Sequence, residues 1–244
     1  VEVPKVTQLI ECDPIISSKV LALANSPIYC PSRPIVTINH AVVILGFRSV
    51  AKLVLTVATS SVFADKSTPC IEDRLRTLRE SLAIASVARV VADQNGTVDS
   101  DEAFLAGVMH DVGKLVLFNA DGEAYSEMID QHPTGDSTDA EREQYGVTHP
   151  ELGKTCGSNW GVPHDINVAI NNHHLELDEV SDELSATIIR ADYLARAWRL
   201  GFESPSAFVA NEAMEAELES LIQDGELRSK TAEEFEAISD LCLG

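Results

Sequence analysis

Aromatic residues make up only 5% of this 244-residue chain, and bases are scarce. Eighteen lysines and arginines stand against 39 aspartates and glutamates, giving a net charge of −21. A surface that acidic repels phosphate backbones, which excludes broad electrostatic binding to nucleic acid. No CxxC pair occurs. The five cysteines (Cys12, Cys30, Cys70, Cys156 and Cys242) are odd in number and scattered, the pattern of reduced thiols. The greasiest stretch, Ala41 to Val62, is broken by Gly46, Arg48 and Lys52, so no apolar run of membrane-spanning length is expected. No basic-then-apolar leader opens the chain. These absences lead to the expectation of a cytoplasmic protein with no membrane or nucleic-acid partner.

What is present excludes disorder. The hydrophobic fraction is 45% against 23% charged, with a mean hydropathy of +0.01. The length suits one large domain or two small ones. Charge is uneven: residues 1–70 carry six bases and four acids, and residues 71–244 carry twelve bases and 35 acids.

Strand signals are almost missing, and apolar residues recur at three and four, so the chain is expected to be all-α. Asp13-Pro14 opens a helix with the stripe Ile16, Val20, Leu23 and Ala24, stopped by Asn25-Ser26-Pro27. Helices follow from about Thr37 to Gly46 and from Phe47 to about Ser61. Residues Ala64 to Cys70 make the best internal boundary. A long helix then runs from about Glu72 to Gln94 and closes at Asn95-Gly96. Ser100 is expected to cap the next, which contains His110 and Asp111. Residues 131–139 read as a polar loop. Thr148 to Glu151 forms a capping box, and helices are expected over about 163–174, 182–199, 211–223 and 231–242, the last opened by a second box from Thr231 to Glu234.

Polar residues on apolar stripes mark where chemistry could sit, because burying them must be compensated. Glu80 lies in line with Ile84, Val87 and Val91. An inward carboxylate there needs a cation or a hydrogen-bond partner; helix curvature would instead leave it exposed. His110-Asp111 ends a nearly all-apolar run from Ala103, and adjacent imidazole and carboxylate can both reach one cation. Lys114 follows and could hold a phosphate. His173-His174 continues the Ile166–Ile170 stripe, although a helix C-terminus alone also favours histidine. Asp192 continues the Leu184–Ile188 stripe and is expected to point inward. His149 occupies the first turn of a capped helix.

The order Glu80, His110-Asp111, His149, His173-His174 and Asp192 resembles the HD superfamily of metal-dependent phosphohydrolases. More closely, the chain is similar to the HDOD domain, the HD-related output domain of bacterial signalling proteins. The likeness rests further on Asp13-Pro14 with Val20 to Ser26, on Ile38 to Gly46, on Ser81 to Ala85, and on Trp160-Gly161-Val162-Pro163. It covers about residues 4–200. Where the enzyme families place their first histidine, this sequence has Glu80. The residues after His174 (Leu175 to Val180) lack the recognition loop of the related cyclic di-GMP phosphodiesterases.

The resemblance implies an HD-like helical core over about 70–200, an added N-terminal helical subdomain over about 1–65, and an acidic helical tail over about 201–244. It implies a non-enzymatic regulatory module acting on signalling proteins or on other domains of a larger chain. The alternative is a metal-dependent phosphohydrolase. There His110, Asp111 and Asp192 would hold one ion with Glu80, and His149, His173 and His174 a second, with Lys114 steadying phosphate. A sensing domain without turnover is a third reading. Three carboxylates with one imidazole favour Mg, Mn or Fe, if any ion is held. All the acids and imidazoles named here are expected to face one core.

Overall fold

The Asp13 carboxylate accepts hydrogen bonds from the Ile15 and Ile16 amides at 2.9 and 3.0 Å, and Pro14 supplies a helical φ without a donor. Helix α2 (Pro14–Ala24) therefore starts where the sequence says. In the computed structural model, which describes residues 3–132, 136–202 and 209–243, it follows α1 (Val3–Glu11). It leads through a proline-rich loop to α3 (Ile38–Leu45) and α4 (Phe47–Phe63). Gly46, at a φ of 84°, makes the sharp joint between the last two.

Helix α5 (Ile71–Asn95) is the axis of the fold. Leu78, Leu82, Ile84, Ala85, Val87, Ala88 and Val91 are all fully buried, so it is covered on both faces. Each large aliphatic among them contributes about 1.5–3 kcal/mol of burial. Helix α6 (Ser100–Met109) crosses it closely, and α11 (Glu183–Trp198) and α13 (Gly225–Leu243) pack on its other sides. The crossing with α6 depends on a glycine: a Cβ at Gly107 would lie 2.5 Å from the Ala85 Cα. Helices α7 (Lys114–Gln131), α8 (Thr138–Tyr145), α9 (His149–Asn159), α10 (His164–Asn172) and α12 (Glu212–Gln223) complete the molecule. Among the described residues there is no strand, as expected of an all-α chain.

The joint at Ala64–Cys70 is a turn in the chain and does not divide the core. One continuous apolar cluster runs from Ile10 through α5 and α6 to Cys242. A fully buried arginine fastens the turn: Arg74 donates to the Val62 and Phe63 carbonyls at 2.6 and 3.4 Å and to Asn119 Oδ1 at 3.1 Å. Tyr29, Ser49 and Arg89 all bind the Asp101 carboxylate, at 2.7 to 3.0 Å, which joins the N-terminal helices to α5 and α6.

Several local expectations are corrected. Asp99 and not Ser100 caps α6, because its carboxylate accepts from the Glu102 amide at 3.0 Å. Helix α13 begins at Gly225, so Thr231 is internal and its hydroxyl turns back to the Leu227 carbonyl. The polar stretch 131–139 holds the end of α7 and the start of α8, and residues 133–135 within it lie outside the described residues. The expected tail likewise includes residues 203–208, which lie outside them. The segment Ser100–Gln131 is long and apolar enough to cross a membrane by composition, contrary to expectation. It is broken by the turn at His110–Gly113, and 83% of its most apolar window is buried in the protein's own core.

Candidate metal centre

Three elements deliver side chains to one point in the core. The turn after α6 brings His110 and Asp111, α9 begins with His149, and the end of α10 supplies His173 and His174. Helix α6 stops at Met109, so His110 and Asp111 sit just past its end and not within it. The capping box predicted for α9 forms, with the Thr148 amide donating to Glu151 Oε2 at 3.0 Å. That cap sets His149 at the first helical position with its ring turned inward and fully buried.

The hydrogen bonds of the rings decide which nitrogen is free. Nδ1 of His173 donates to the Ile170 carbonyl at 2.7 Å, and Nδ1 of His110 donates to the Gly107 carbonyl at 2.7 Å. A carbonyl only accepts, so these nitrogens carry the proton. Nδ1 of His149 lies 2.8 and 2.9 Å from the two Glu141 carboxylate oxygens, and its backbone amide donates to Oε2 at 2.6 Å. In the neutral tautomers selected by these bonds, Nε2 of His149 and of His173 present bare lone pairs 3.2 Å apart. Nε2 of His174 is 3.1 Å from that of His149. Asp111 Oδ1 lies 3.2 Å from His149 Nε2 and 3.7 Å from His173 Nε2, is buried, and has no hydrogen-bond partner.

Charge follows the same division. Burial pushes the His173 pKa down to about 4, and the neighbouring His110 and His149 push the same way. Burial, His173 and His149 hold His174 well below its ordinary range. Burial favours a neutral Asp111, but the charges of His110 and Lys114 outweigh it and keep the carboxyl well below the usual range. An ionised carboxylate beside His173 and His174, whose rings burial holds neutral, suits a cation. Four ligands placed tetrahedrally at about 2.1 Å from an ion stand about 3.4 Å apart. The residues present therefore fit one ion held by Asp111, His149, His173 and His174.

The other expected residues lie beside this group. Lys114 is buried, with its ammonium 2.8 Å from Asp111 Oδ2 and not turned toward open space for a phosphate. Burial disfavours that ammonium, but Asp111 outweighs it and raises the pKa. His110 Nε2 stands 3.3 Å from the same Oδ2. Glu80 is half-buried; burial raises its pKa while Lys114 and Arg196 pull it back. The Asp192 side chain is 33% exposed and accepts from Arg196 Nε through both oxygens, at 2.8 and 2.9 Å. Positions four apart drift about 40° round a helix, so two steps from Leu184 carry Asp192 to the rim of the stripe.

Glu141 escaped the sequence reading. It is fully buried, and besides His149 it accepts from Tyr125 Oη at 2.7 Å and Ser137 Oγ at 2.8 Å. Burial alone would raise its pKa, but bonds and charge from His149, with help from Tyr125, hold it at about 2.

Comparison with known proteins agrees with this architecture. The profile of the HDOD domain matches residues 1–176. No curated protein matches the chain. Among solved structures, an HDOD domain protein of unknown function from Geobacter sulfurreducens shares 24% identity, covers 99% of this chain and 82% of its own, and superposes with a TM-score of 0.70. A Shewanella amazonensis protein described as "Putative phosphohydrolase" shares 22% over 99% of this chain and 87% of its own, at a TM-score of 0.73. A Marinobacter aquaeolei protein described as "Putative signal transduction protein" shares 19%, at 0.70; it covers 98% of this chain, which matches 55% of that longer protein.

Proposed function

The chain belongs to the HDOD domain family, and from that premise we propose that it is a bacterial cytoplasmic regulatory module that works by binding protein partners, without turnover. The observation that carries this reading is the state of Asp111. One of its oxygens is taken by the buried Lys114 ammonium, and around the other Asp111, His149 and His173 are 4%, 0% and 8% exposed, which leaves the half-buried His174 as the one ligand near the surface. Metal-assisted hydrolysis needs an open coordination position and room for a phosphate beside it. Asp192, the further ligand an HD enzyme centre would use, is neutralised by Arg196. What remains is a site for one ion, with a donor set of three imidazoles and one carboxylate. That set favours a borderline ion such as iron over magnesium, which prefers oxygen.

A second reading, phosphoester hydrolysis, is favoured by the orphaned Asp111 Oδ1, since it fits a resident ion. An ion there would polarise a phosphate oxygen and lower the pKa of bound water. The deciding experiment is metal analysis of the purified chain combined with assays on bis(p-nitrophenyl) phosphate and cyclic di-GMP in added manganese or iron. The expected result is no turnover above that of Asp111→Ala. Turnover that disappears in Asp111→Ala would put the enzyme reading first.

A further inference from the structure

Acids are missing from one long part of this acidic chain. Between Asp13 and Asp65 no aspartate or glutamate occurs, and that stretch builds α2, α3 and α4. Within it, α3 turns Ile38 and Ala41 into the core but leaves Val43 79% and Ile44 54% exposed. Val36, leading into the helix, is 70% exposed. Val43 and Ile44 stand next to each other on a helix only about 12 Å long, and Val36 lies two residues before its start. Arg33 and Arg48 flank it along the chain; both are exposed, and neither forms an ion pair among the described residues. Acids that do reach the neighbouring α4 are already engaged: Asp99 and Glu102 by Lys52, and Asp101 by Arg89.

We propose that this α3 face docks an acidic amphipathic helix of a partner protein, with apolar side chains on Val36, Val43 and Ile44 and carboxylates on Arg33 and Arg48. The proposal rests on the protein-binding reading above and gives that partner a chemistry. An extended peptide would need a free sheet edge, and no strand exists among the described residues, so helix packing is the mode available. A second copy is disfavoured because a two-fold contact lays the same patch on itself and sets arginine against arginine. Two unpaired cations also fall short of the roughly four to eight that mark an anionic-lipid site.

The test is fluorescence anisotropy of the full chain with a labelled helical peptide carrying leucine on one face and glutamate on the other. A control peptide carries lysine in place of glutamate. The expected result is saturable binding of the glutamate peptide only, weakened by added salt and at least tenfold by Val43→Glu and by Arg48→Glu, two surface changes that leave thermal unfolding in place. Equal binding by the variants, or none by the parent chain, overturns the proposal. So does a concentration-dependent dimer in sedimentation that Val43→Glu abolishes, which gives the face to a second copy, or capture by phosphatidylserine vesicles that Arg48→Glu abolishes. Phosphodiester turnover lost in Asp111→Ala sinks the non-enzymatic reading and leaves the peptide result standing.

Discussion

Glu141 grips His149 twice, by the backbone amide at 2.6 Å and by ring Nδ1 at 2.8 Å, so one carboxylate fixes both where that histidine starts its helix and which way its ring faces. Replacing it with glutamine keeps the shape but turns one acceptor into a donor facing a donor. Supporting groups of this kind typically change metal affinity by about 10–100-fold. Glu141→Gln should therefore weaken iron or manganese binding by about that factor in a chelator competition. The His149 Nδ1–H resonance should shift in the same variant. Unchanged affinity would show that Glu141 only fills space.

Acid should destabilise the metal-free protein in two stages. The His173 pKa of about 4 lies below the ordinary 6.5, so as pH falls the unfolded chain takes up the proton first. The neutral ring's contribution is complete above about 6.5 and is lost toward pH 4, an effect on the order of 3 kcal/mol. Glu141, at about 2 instead of 4.5, contributes fully above 4.5 and loses that contribution as pH falls toward 2. Urea midpoints measured from pH 8 to 3 should fall through the upper window in the parent chain and stay flatter there in His173→Gln.

Arg74 is buried with two carbonyls and an amide oxygen as its partners. Arg74→Met keeps much of the volume but leaves the Val62 and Phe63 carbonyls without their donor. A loss of about 2–4 kcal/mol is expected in denaturant unfolding, with helical circular dichroism retained. A loss under about 0.5 kcal/mol would mean that water replaces the guanidinium freely.

Gly113 lies where α9 passes the turn after Asp111. A Cβ there would collide with the His149 carbonyl and come within 2.6 Å of the Gly153 amide nitrogen. Gly113→Ala and Gly107→Ala should each cost about 1–3 kcal/mol, as overpacking does. Only Gly113→Ala should also weaken metal binding, because it displaces His149; isothermal titration of both variants separates the two effects.

The sequence was most legible where a cap or a breaker stands beside an apolar stripe. Asp13-Pro14, Thr37, Gly46, Gly96 and the box Thr148 to Glu151 each mark a boundary that the structure shares. Helix α8 was invisible for a physical reason. Its sequence, Thr138 to Tyr145, has no apolar stripe, and the residue that it buries is the charged Glu141. Periodicity finds faces that avoid water, whereas this helix is held by one carboxylate and its donors. Asp192 shows the opposite error, since a stripe extended by two steps of four slides off the face that it began on. Glu80 was harder still, because the charges that act on it, Lys114 and Arg196, come from separate helices.

Lys114 carries one more consequence. An ammonium stationed on Asp111 is a counter-ion that travels with the chain from synthesis onward. Small zinc domains, by contrast, stay unfolded until their ion arrives. A core that supplies part of its own neutralisation can assemble in metal-starved and metal-replete cells alike. Nutrient supply could then alter the loading of the site while the abundance of folded protein stays constant.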